Sequence, residues 1–288
     1  MKRELLGMML LLTLAACQKP AELNQQVTTE QDENSYIIGG QLVSSSDVLS
    51  KSTVQIVERF SGTICTGVII EKNVVLTAAH CMVDNPEQNL VVFFGNKLVT
   101  SLRTLTTKNT RTIAKASVSN IWPTVPEEQI LERGDIAVLK LSSNIPIGYL
   151  TVSLLPNGTK LQNGLAVTLA GYGITNGVTN QDTTGLRKVG MKLANGSLSP
   201  SEIVFDQRDG KGACHGDSGG PAYATINNKL YVIGITSHGA VDALTGSWFS
   251  ADGEIAEEAA VCTAYSVYTR PEAYKSLIEQ VRGVASIQ

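Results

Sequence analysis

A serine placed between glycines is the first group in this chain whose surroundings suggest chemistry. The segment 214–221 has the sequence Cys-His-Gly-Asp-Ser-Gly-Gly-Pro, which sets Ser218 where two backbone N–H groups can reach one oxygen. A serine hydroxyl is a weak nucleophile unless a neighbouring base takes its proton. The segment therefore predicts nucleophilic catalysis only if the rest of the chain supplies a base and a group that orients it.

A base and an acid occur upstream of this serine. His80 lies in the segment 77–81, Thr-Ala-Ala-His-Cys, and Asp135 begins the segment 135–141, Asp-Ile-Ala-Val-Leu-Lys-Leu. With the serine segment, and in this order along the chain, they resemble the motifs of the chymotrypsin/trypsin family of serine proteases. The resemblance extends over about residues 37–288.

The resemblance implies a role for each of these groups and implies no cofactor. Ser218 is expected to attack the scissile carbonyl and form an acyl-enzyme. His80 is expected to take the serine proton and pass it to the leaving amine, while Asp135 fixes the imidazole tautomer. The backbone N–H groups of Gly216 and Ser218 are expected to form the oxyanion hole.

The segment 216–220 also fits the G-x-S-x-G pattern of α/β-hydrolases. Those enzymes order their triad as serine, acid and histidine, and place the serine between a strand and a helix. The only histidine after Ser218 is His238, and Gly-Gly-Pro at 219–221 is a poor helix start. The order of His80, Asp135 and Ser218 along the chain therefore favours a protease over an α/β-hydrolase. A plain solvated turn is the other alternative, and it leaves the His80 and Asp135 motifs unexplained.

The two remaining histidines are expected at the rim of the cleft (His215) and in the wall of a neighbouring subsite (His238). His215 stands beside Gly216 and is interpreted as a rim contact. His238 lies in the segment 234–239, Gly-Ile-Thr-Ser-His-Gly, which resembles the family strand that pairs with the substrate backbone. That strand usually carries Trp at the position of His238, and the resemblance implies that Ser237 supports the catalytic acid by a hydrogen bond.

The resemblance also places the primary specificity pocket. Its base, six residues before the nucleophile, is Gly212, where trypsin-like members carry Asp. Ala213, Ser237, Gly239 and Ser266 align with other pocket positions, and all are small and uncharged. Cleavage after uncharged, apolar or aromatic residues is therefore expected. The acidic residues of the long segment 240–261 are interpreted as a solvated loop face, with one of them reaching into the pocket as the alternative: Asp252, Glu254, Glu257 and Glu258.

Short apolar runs separated by Gly, Asn, Asp and Ser indicate an all-β fold. The predicted strands are 53–57, 65–70, 73–76, 90–94, 136–141, 166–170, 229–235 and 266–268. One amphipathic helix is predicted over 272–284, after Pro271. The resemblance implies two six-stranded antiparallel β-barrels with the active site in the cleft between them, closed by this C-terminal α-helix.

The first residues are typical of an export signal. Lys2 and Arg3 precede an apolar run over 5–16 that is too short to span a bilayer. The segment 14–17, Leu-Ala-Ala-Cys, resembles a bacterial lipobox, so Cys17 is predicted to be lipidated, with Gln18 suggesting the outer membrane. An ordinary secretory signal is the alternative. The predicted organisation is a signal peptide (1–16), a polar disordered tether or propeptide (17–36) and a protease domain (37–288).

Cysteine counting agrees with export. With Cys17 lipidated, four of the five cysteines remain, and they should pair in an oxidising compartment. Four cysteines allow three pairings, and the resemblance selects Cys65–Cys81 and Cys214–Cys262. Zinc is the competing interpretation, but no close Cys-x-x-Cys or His-x₃-His spacing occurs, so no metal is predicted.

The formal net charge is −3, with acidic and basic residues interspersed. No basic stripe is present, so nucleic acid is not an expected partner. Protein or peptide substrates and a lipid anchor through Cys17 are the partners that the motifs imply.

The segment 37–40, Ile-Ile-Gly-Gly, resembles the family's activation sequence. In the family, a cut before the isoleucine frees an α-ammonium that pairs with the Asp before the nucleophile, here Asp217. Tyr36 precedes Ile37 in place of the usual Arg or Lys, which disfavours a trypsin-like activator. Either another protease or the enzyme itself is expected to make the cut.

Two other functions remain open at this point. One is a non-catalytic, surface-tethered binding protein on the protease scaffold, although such relatives usually lose a triad residue and none is lost here. The other is an esterase with the same triad, because acyl chemistry does not separate ester from amide substrates.

Overall fold

A computed structural model describes residues 37–124, 131–174, 183–240 and 262–283, and of Pro123 only the backbone. The predicted signal peptide with Cys17, the predicted tether, Tyr36 and the acidic loop residues 252–258 lie outside the described residues. All described residues belong to the unit Asn34–Gln288. None of the helices in the described ranges is long and apolar enough to cross a bilayer.

The first half of the chain forms a closed antiparallel barrel. The short strand β1 (Gln41–Leu42) precedes it and pairs with the second half of the chain. The six barrel strands are β2 (Thr53–Glu58), β3 (Ile64–Glu71), β4 (Val74–Thr77), β5 (Leu90–Phe93), β6 (Thr110–Val118) and β7 (Ala137–Leu141). They close in the order β2-β3-β4-β7-β6-β5. Branched side chains fill the interior, among them Val54, Ile56, Ile69, Val75 and Leu139.

The second half forms a second closed barrel. Its six strands are β9 (Ala166–Gly171), β10 (Arg187–Ser199), β11 (Glu202–Asp206), β12 (Pro221–Ile226), β13 (Lys229–Ala240) and β14 (Tyr265–Thr269), and the short strand β8 (Ser153–Leu154) pairs in parallel with β13. The antiparallel circuit runs β9-β10-β11-β14-β13-β12 and returns to β9. Phe205 and Tyr268 meet edge to face in its core, with ring centres 4.9 Å apart. The predicted two-barrel fold is confirmed.

All eight predicted strands overlap observed ones, but four barrel strands were not predicted. The missed strands β6 and β10 carry charged or polar side chains on their outer faces, which hides the apolar alternation of the inner face. Strand β12 starts at Pro221, and proline is a residue that usually argues against a strand interior. The missed strands β6 and β10 are therefore partly exposed, whereas the missed strands β11 and β12 are largely buried.

The predicted C-terminal helix is present, with different bounds. A 3₁₀ turn covers Pro271–Tyr274, and the α-helix runs over Lys275–Arg282 and ends at Gly283, whose φ is +77°. Pro271 precedes the α-helix as predicted, but the α-helix is shorter than the predicted 272–284, because residues 271–274 form the 3₁₀ turn, whose first position suits proline's fixed φ. Ile278 and Val281 are buried in a cluster that includes Ile70 and Val74 of the first barrel.

Short helical segments complete the described chain and carry part of the site. One α-helical turn covers Pro86–Asn89, and 3₁₀ turns cover Val48–Lys51, Ala79–Cys81, Leu102–Thr104 and Trp122–Thr124. The turn Ala79–Cys81 directly follows β4, while Asp135 stands just before β7. Strands β4 and β7 pair with Thr77 opposite Ala137, so this register brings the segments of His80 and Asp135 to the same barrel edge.

Candidate active site

His80 and Asp135 form a doubly bonded pair. The imidazole Nδ1 lies 2.8 Å from Asp135 Oδ2, and the backbone N–H of His80 donates to Asp135 Oδ1 at 2.9 Å. Because the carboxylate accepts at Oδ2, Nδ1 carries the proton and Nε2 is left as the basic nitrogen. The pair therefore presents an oriented base to the cleft.

Asp135 is 3% exposed and is held ionised by its donors. Burial alone raises the pKa of this carboxyl, but the charge on His80 and hydrogen bonds from His80 and Ser237 outweigh burial and hold the pKa below its usual value. Ser237 Oγ donates to Asp135 Oδ2 at 2.6 Å and lies 3.0 Å from His238 Nδ1. Since Ser237 gives its one hydrogen to Asp135, His238 Nδ1 is the donor in the second contact.

Ser218 and His80 line the same cleft, which has a volume of about 320 Å³. Ser218 stands on the loop that leads into β12, and its backbone carbonyl oxygen accepts from Thr66 N at 2.8 Å. The following residue, Gly219, donates to the Thr236 carbonyl oxygen at 2.8 Å. Hydrogen bonds from both barrels therefore fix the serine loop.

The backbone around Ser218 leaves two donors available. Within the described residues, neither Gly216 N nor Ser218 N donates a hydrogen bond. Gly216 has a φ of +89°, a conformation that only glycine adopts without strain. Its carbonyl oxygen accepts from Thr66 Oγ1 at 2.9 Å, and Tyr172 N donates to the same Thr66 hydroxyl at 3.1 Å. Thr66 thus orients the Gly216 backbone.

Two disulfides flank the site, Cys65–Cys81 and Cys214–Cys262. The first ties β3 to the turn that carries His80, and the second ties the serine loop to the chain before β14. The sulfurs of each pair are bonded to each other, so neither pair offers a thiolate to a metal ion. These bonds fit a secreted or extracellular location.

Four of the five expected pocket residues line the cleft: Ala213, Ser237, Gly239 and Ser266. Gly212 is buried and is not among the cleft-lining residues. A Cβ at this position would overlap the Gln207 carboxamide, whose Oε1 accepts from Ala213 N at 2.5 Å. The fully buried Gln207 thus occupies the space that a larger residue at 212 would need.

The expected activation residues lie in the second half of the fold. Ile37 is 1% exposed in the cluster that includes Ala213, and Ile38 forms an antiparallel bridge with Gly212. Asp217 is 1% exposed and accepts from Gly173 N at 2.8 Å and from Cys214 N at 2.9 Å. Burial raises the pKa of Asp217 to about 7, and no basic side chain of the described residues forms an ion pair with it.

Residues that the motifs did not indicate also contribute to the cleft. Thr66 was missed because it looks like an ordinary strand residue. Trp122 and Arg133 line the cleft, with the Arg133 Cζ atom 4.8 Å from the Trp122 ring centre. His215 is exposed and lines the cleft, as the sequence interpretation expected. The proximity of Arg133 to Asp135 in sequence was the one available signal for the Arg133–Trp122 pair.

Comparison with known proteins agrees with this geometry. The sequence profile of the trypsin family matches residues 25–249. Trypsin from Saccharopolyspora erythraea is 30% identical over 214 residues, covering 70% of this chain and 86% of that protein. Chymotrypsin-like elastase family member 1 of Canis lupus familiaris is 32% identical over 187 residues, covering 60% of this chain and 69% of that protein.

A further relative is longer than the matched region. CLIP domain-containing serine protease B15 of Anopheles gambiae is 31% identical over 197 residues, and the match covers 61% of this chain but only 54% of that protein. The chain therefore spans about half the length of this relative. The relatives support a serine peptidase function acting on proteins or peptides, and together with the profile match and the two-barrel fold they show that the chain belongs to the trypsin family.

Proposed function

We propose that the protein is a serine endopeptidase that works through a His80–Asp135–Ser218 triad and an acyl-enzyme. The observation that carries this proposal is the double hydrogen bond of Asp135 to His80, in the cleft that Ser218 also lines. Ser218 Oγ attacks the scissile carbonyl while His80 Nε2 takes its proton. The imidazolium then protonates the leaving amine, and water releases the acyl group by the same steps in reverse.

The backbone N–H groups of Gly216 and Ser218 form the oxyanion hole in this proposal. Both are free of hydrogen bonds within the described residues, so both can donate to the oxygen on which negative charge develops. Losing one such donor typically costs about 3 kcal/mol of transition-state stabilisation. Thr66 acts as a positioning residue because it holds the Gly216 carbonyl oxygen.

The primary pocket is proposed to accept uncharged, apolar or aromatic side chains. The lining residues Ala213, Gly239 and Ser266 carry no charge, and Gln207 fills the space beneath Gly212. Among the described residues, no acidic side chain lines this end of the pocket to pair with a lysine or arginine. Peptide substrates varied only at the residue before the cut test this: a clear preference for Arg or Lys would contradict it.

The protein is further proposed to be a zymogen that is activated by a cut between Tyr36 and Ile37. Asp217 is buried without a basic side-chain partner among the described residues, which supports this, because an ammonium at Ile37 would supply the missing charge. If the primary pocket accepts aromatic residues, the enzyme can cut this bond itself. An S218A chain expressed alone that still acquires an Ile37 N-terminus would exclude self-processing and favour a separate activator.

Export as a lipoprotein is proposed from the N-terminal sequence alone. Residues 1–16 are removed, Cys17 carries the lipid in the outer membrane, and residues 17–36 tether the protease domain 37–288. A cut before Ile37 then releases the protease, because both disulfides lie downstream of it. Metabolic labelling with a fatty-acid analogue should mark the parent chain but not a C17A chain.

One experiment tests the enzyme proposal against its two rivals. A serine-directed fluorophosphonate should label the chain after a cut before Ile37, much less before the cut, and not at all in S218A. A non-catalytic relative would remain unlabelled in every form. Hydrolysis of casein by the cut chain then separates a peptidase from an enzyme restricted to esters.

A further inference from the structure

A fixed positive charge stands in the wall of the catalytic cleft. Arg133 lines the same cavity as His80 and Ser218. The Arg133 Cζ atom lies 4.8 Å from the centre of the Trp122 ring, and that ring centre lies 6.4 Å from the centre of the His80 ring. The guanidinium is therefore stacked on an aromatic ring that adjoins the catalytic base.

Arg133 has no acidic partner among the described residues. Its side chain is half-buried, its Nε is buried without a hydrogen-bond acceptor, and none of the ion pairs between described residues involves it. Asp135 also lines the cleft, but its oxygens are occupied by His80 and Ser237. A planar guanidinium in the cleft wall, with N–H groups that lack acceptors among the described residues, can bind a carboxylate through two parallel hydrogen bonds.

The backbone around Arg133 is held in a defined conformation. Glu132 N donates to both carboxylate oxygens of Glu202 at 2.9 Å, and Glu202 belongs to strand β11 of the second barrel. Glu132 has a φ of +58° and Gly134 a φ of +66°, so two left-handed residues flank Arg133. The second barrel thereby fixes the direction in which this segment of the first half of the chain presents its arginine.

Two depressions of the surface share His80 and Ser218, and they correspond to the two sides of the scissile bond. One contains Arg133 together with the primary-pocket residues Ala213 and Ser266, and the other is lined by residues such as Cys65 and Gly216. The residue before the cut enters the primary pocket. Arg133 therefore faces substrate side chains that lie upstream of the cut.

We propose that Arg133, stacked on Trp122, binds a carboxylate of the substrate a few residues upstream of the scissile bond. This inference rests on the proposed endopeptidase function and names its substrate class, peptides with an acidic residue on that side. The chain contains such a sequence, because residues 32–36 are Asp-Glu-Asn-Ser-Tyr, directly before Ile37. A second copy of this chain is therefore a matching substrate.

The spacing of that sequence suits the cleft. Glu33 is three residues upstream of Tyr36, which is about 10 Å in an extended peptide. The path from the imidazole across the Trp122 ring to the guanidinium has the same scale, with steps of 6.4 Å and 4.8 Å. With Tyr36 in the primary pocket, Glu33 is the acidic side chain that this proposal assigns to Arg133.

The test compares two peptides on an enzyme with a defined N-terminus. Replacing residues 32–36 of the full chain by Asp-Asp-Asp-Asp-Lys lets enteropeptidase cut before Ile37. The substrates are acetyl-Glu-Asn-Ser-Tyr-p-nitroanilide and its Gln-Asn-Ser-Tyr counterpart. We expect kcat/KM to be about tenfold higher for the Glu peptide, with the ratio falling as salt is added. The ratio of kcat/KM for the Glu peptide to that for the Gln peptide should fall to near one in R133Q. R133E should instead prefer a Lys-Asn-Ser-Tyr peptide over the Glu peptide when the two compete.

Controls separate this inference from the proposed function. R103Q removes an exposed arginine that lines neither depression and should keep the parental ratio. A ratio near one in the parent enzyme, or an unchanged ratio in R133Q, would overturn the role of Arg133. If neither peptide is hydrolysed, the endopeptidase proposal fails. Calorimetric titration of an S218A chain with both peptides then still decides whether Arg133 selects the Glu peptide.

The precursor provides a second measurement. Release of the Ile37 N-terminus in a mixture of full-length copies should slow about tenfold in E33Q. E30Q, three residues further upstream, should be processed at the parental rate. Equal rates for the parent and E33Q would overturn the assignment of Glu33 to this site.

Discussion

Thr66 Oγ1 donates a 2.9 Å hydrogen bond to the carbonyl oxygen of Gly216, and so a strand of the first barrel holds the backbone of the serine loop in the second. The same hydroxyl accepts from Tyr172 N, and the Thr66 backbone N–H donates to the Ser218 carbonyl oxygen. Thr66 thus makes three hydrogen bonds with the half of the molecule that carries Ser218.

Replacing Thr66 by valine should lower kcat about tenfold, less than the hundredfold or more expected for losing an oxyanion donor outright. KM should change little, because Thr66 is not among the residues that line the primary pocket. The Tyr172 N–H is left unpaired in the interior, which should cost about 1–3 kcal/mol of stability. Steady-state kinetics and urea unfolding measure both effects. T66S keeps the hydroxyl and should recover most of kcat; a T66S enzyme as slow as T66V would contradict the positioning role.

Ser237→Ala should remove a hydrogen bond that stabilises the ionised form of Asp135, the acid of the proposed triad. Because Asp135 has a pKa below its usual value, its contribution to stability is present above pH 3.8 and is lost as the pH falls through the lower folded value. Removing the Ser237 donor raises the pKa of Asp135, so the midpoint of acid unfolding should move to higher pH. The kcat/KM at neutral pH should fall about tenfold.

Ser50→Ala is the matched control for this substitution. It removes a buried serine hydroxyl that bonds the backbone carbonyl oxygens of Ser45 and Asp47. This variant should lose some stability while keeping the parental kcat/KM. An S237A enzyme with parental kinetics and an unshifted acid midpoint would argue against support of Asp135 by Ser237.

Cutting before Ile37 should change how stability depends on pH. In the uncut chain Asp217 has a folded pKa of about 7 against an ordinary value of 3.8, so it holds its proton more tightly when folded. Its contribution to stability is complete below about pH 4 and is lost as the pH rises through about 7, on the order of 4 kcal/mol in all.

Urea unfolding from pH 4 to pH 8 measures this effect in an S218A chain. The free energy of unfolding should decline less between pH 4 and pH 8 after the cut, because the new α-ammonium pairs with the ionised Asp217 carboxylate. In the uncut chain, D217N should make the free energy of unfolding nearly independent of pH over this range, whatever the absolute stability of the variant. Parallel declines in the cut and uncut forms would contradict the pairing.

Gly219→Ala should destabilise the fold by more than about 3 kcal/mol. Gly219 has a φ of +78°, and an added Cβ would overlap Thr77 Oγ1 and the Thr66 carbonyl oxygen. Gly62→Ala is a matched control, since Gly62 has a φ of +77° with nothing within 4 Å of an added Cβ. It should cost only the backbone strain, about 1 kcal/mol. Equal losses in the two variants by urea unfolding would contradict the close approach of the barrels at Gly219.

Residues in motifs could be predicted from the sequence, and residues selected by tertiary contacts could not. The segments of His80, Asp135 and Ser218, together with the two disulfide pairs, were recognisable because their neighbours repeat a family pattern. Arg133 is eleven positions after Trp122 and no recognisable motif links the two residues, so their stacking is visible only in the folded structure. Gln207 was missed for a similar reason, since its amide is placed beneath Gly212 by the strand it follows.

The division of the site between the barrels has a practical consequence for changing the enzyme. The register of β4 and β7 brings His80 and Asp135 to one barrel edge, whereas the loop before β12 carries Ser218 and the N–H groups proposed for the oxyanion hole. In the proposed mechanism, the chemical step and the activation by a cut before Ile37 can therefore be tuned through different segments. Substitutions near His80 would alter how fast a competent enzyme turns over, while those around Asp217 would alter what fraction of the molecules is competent.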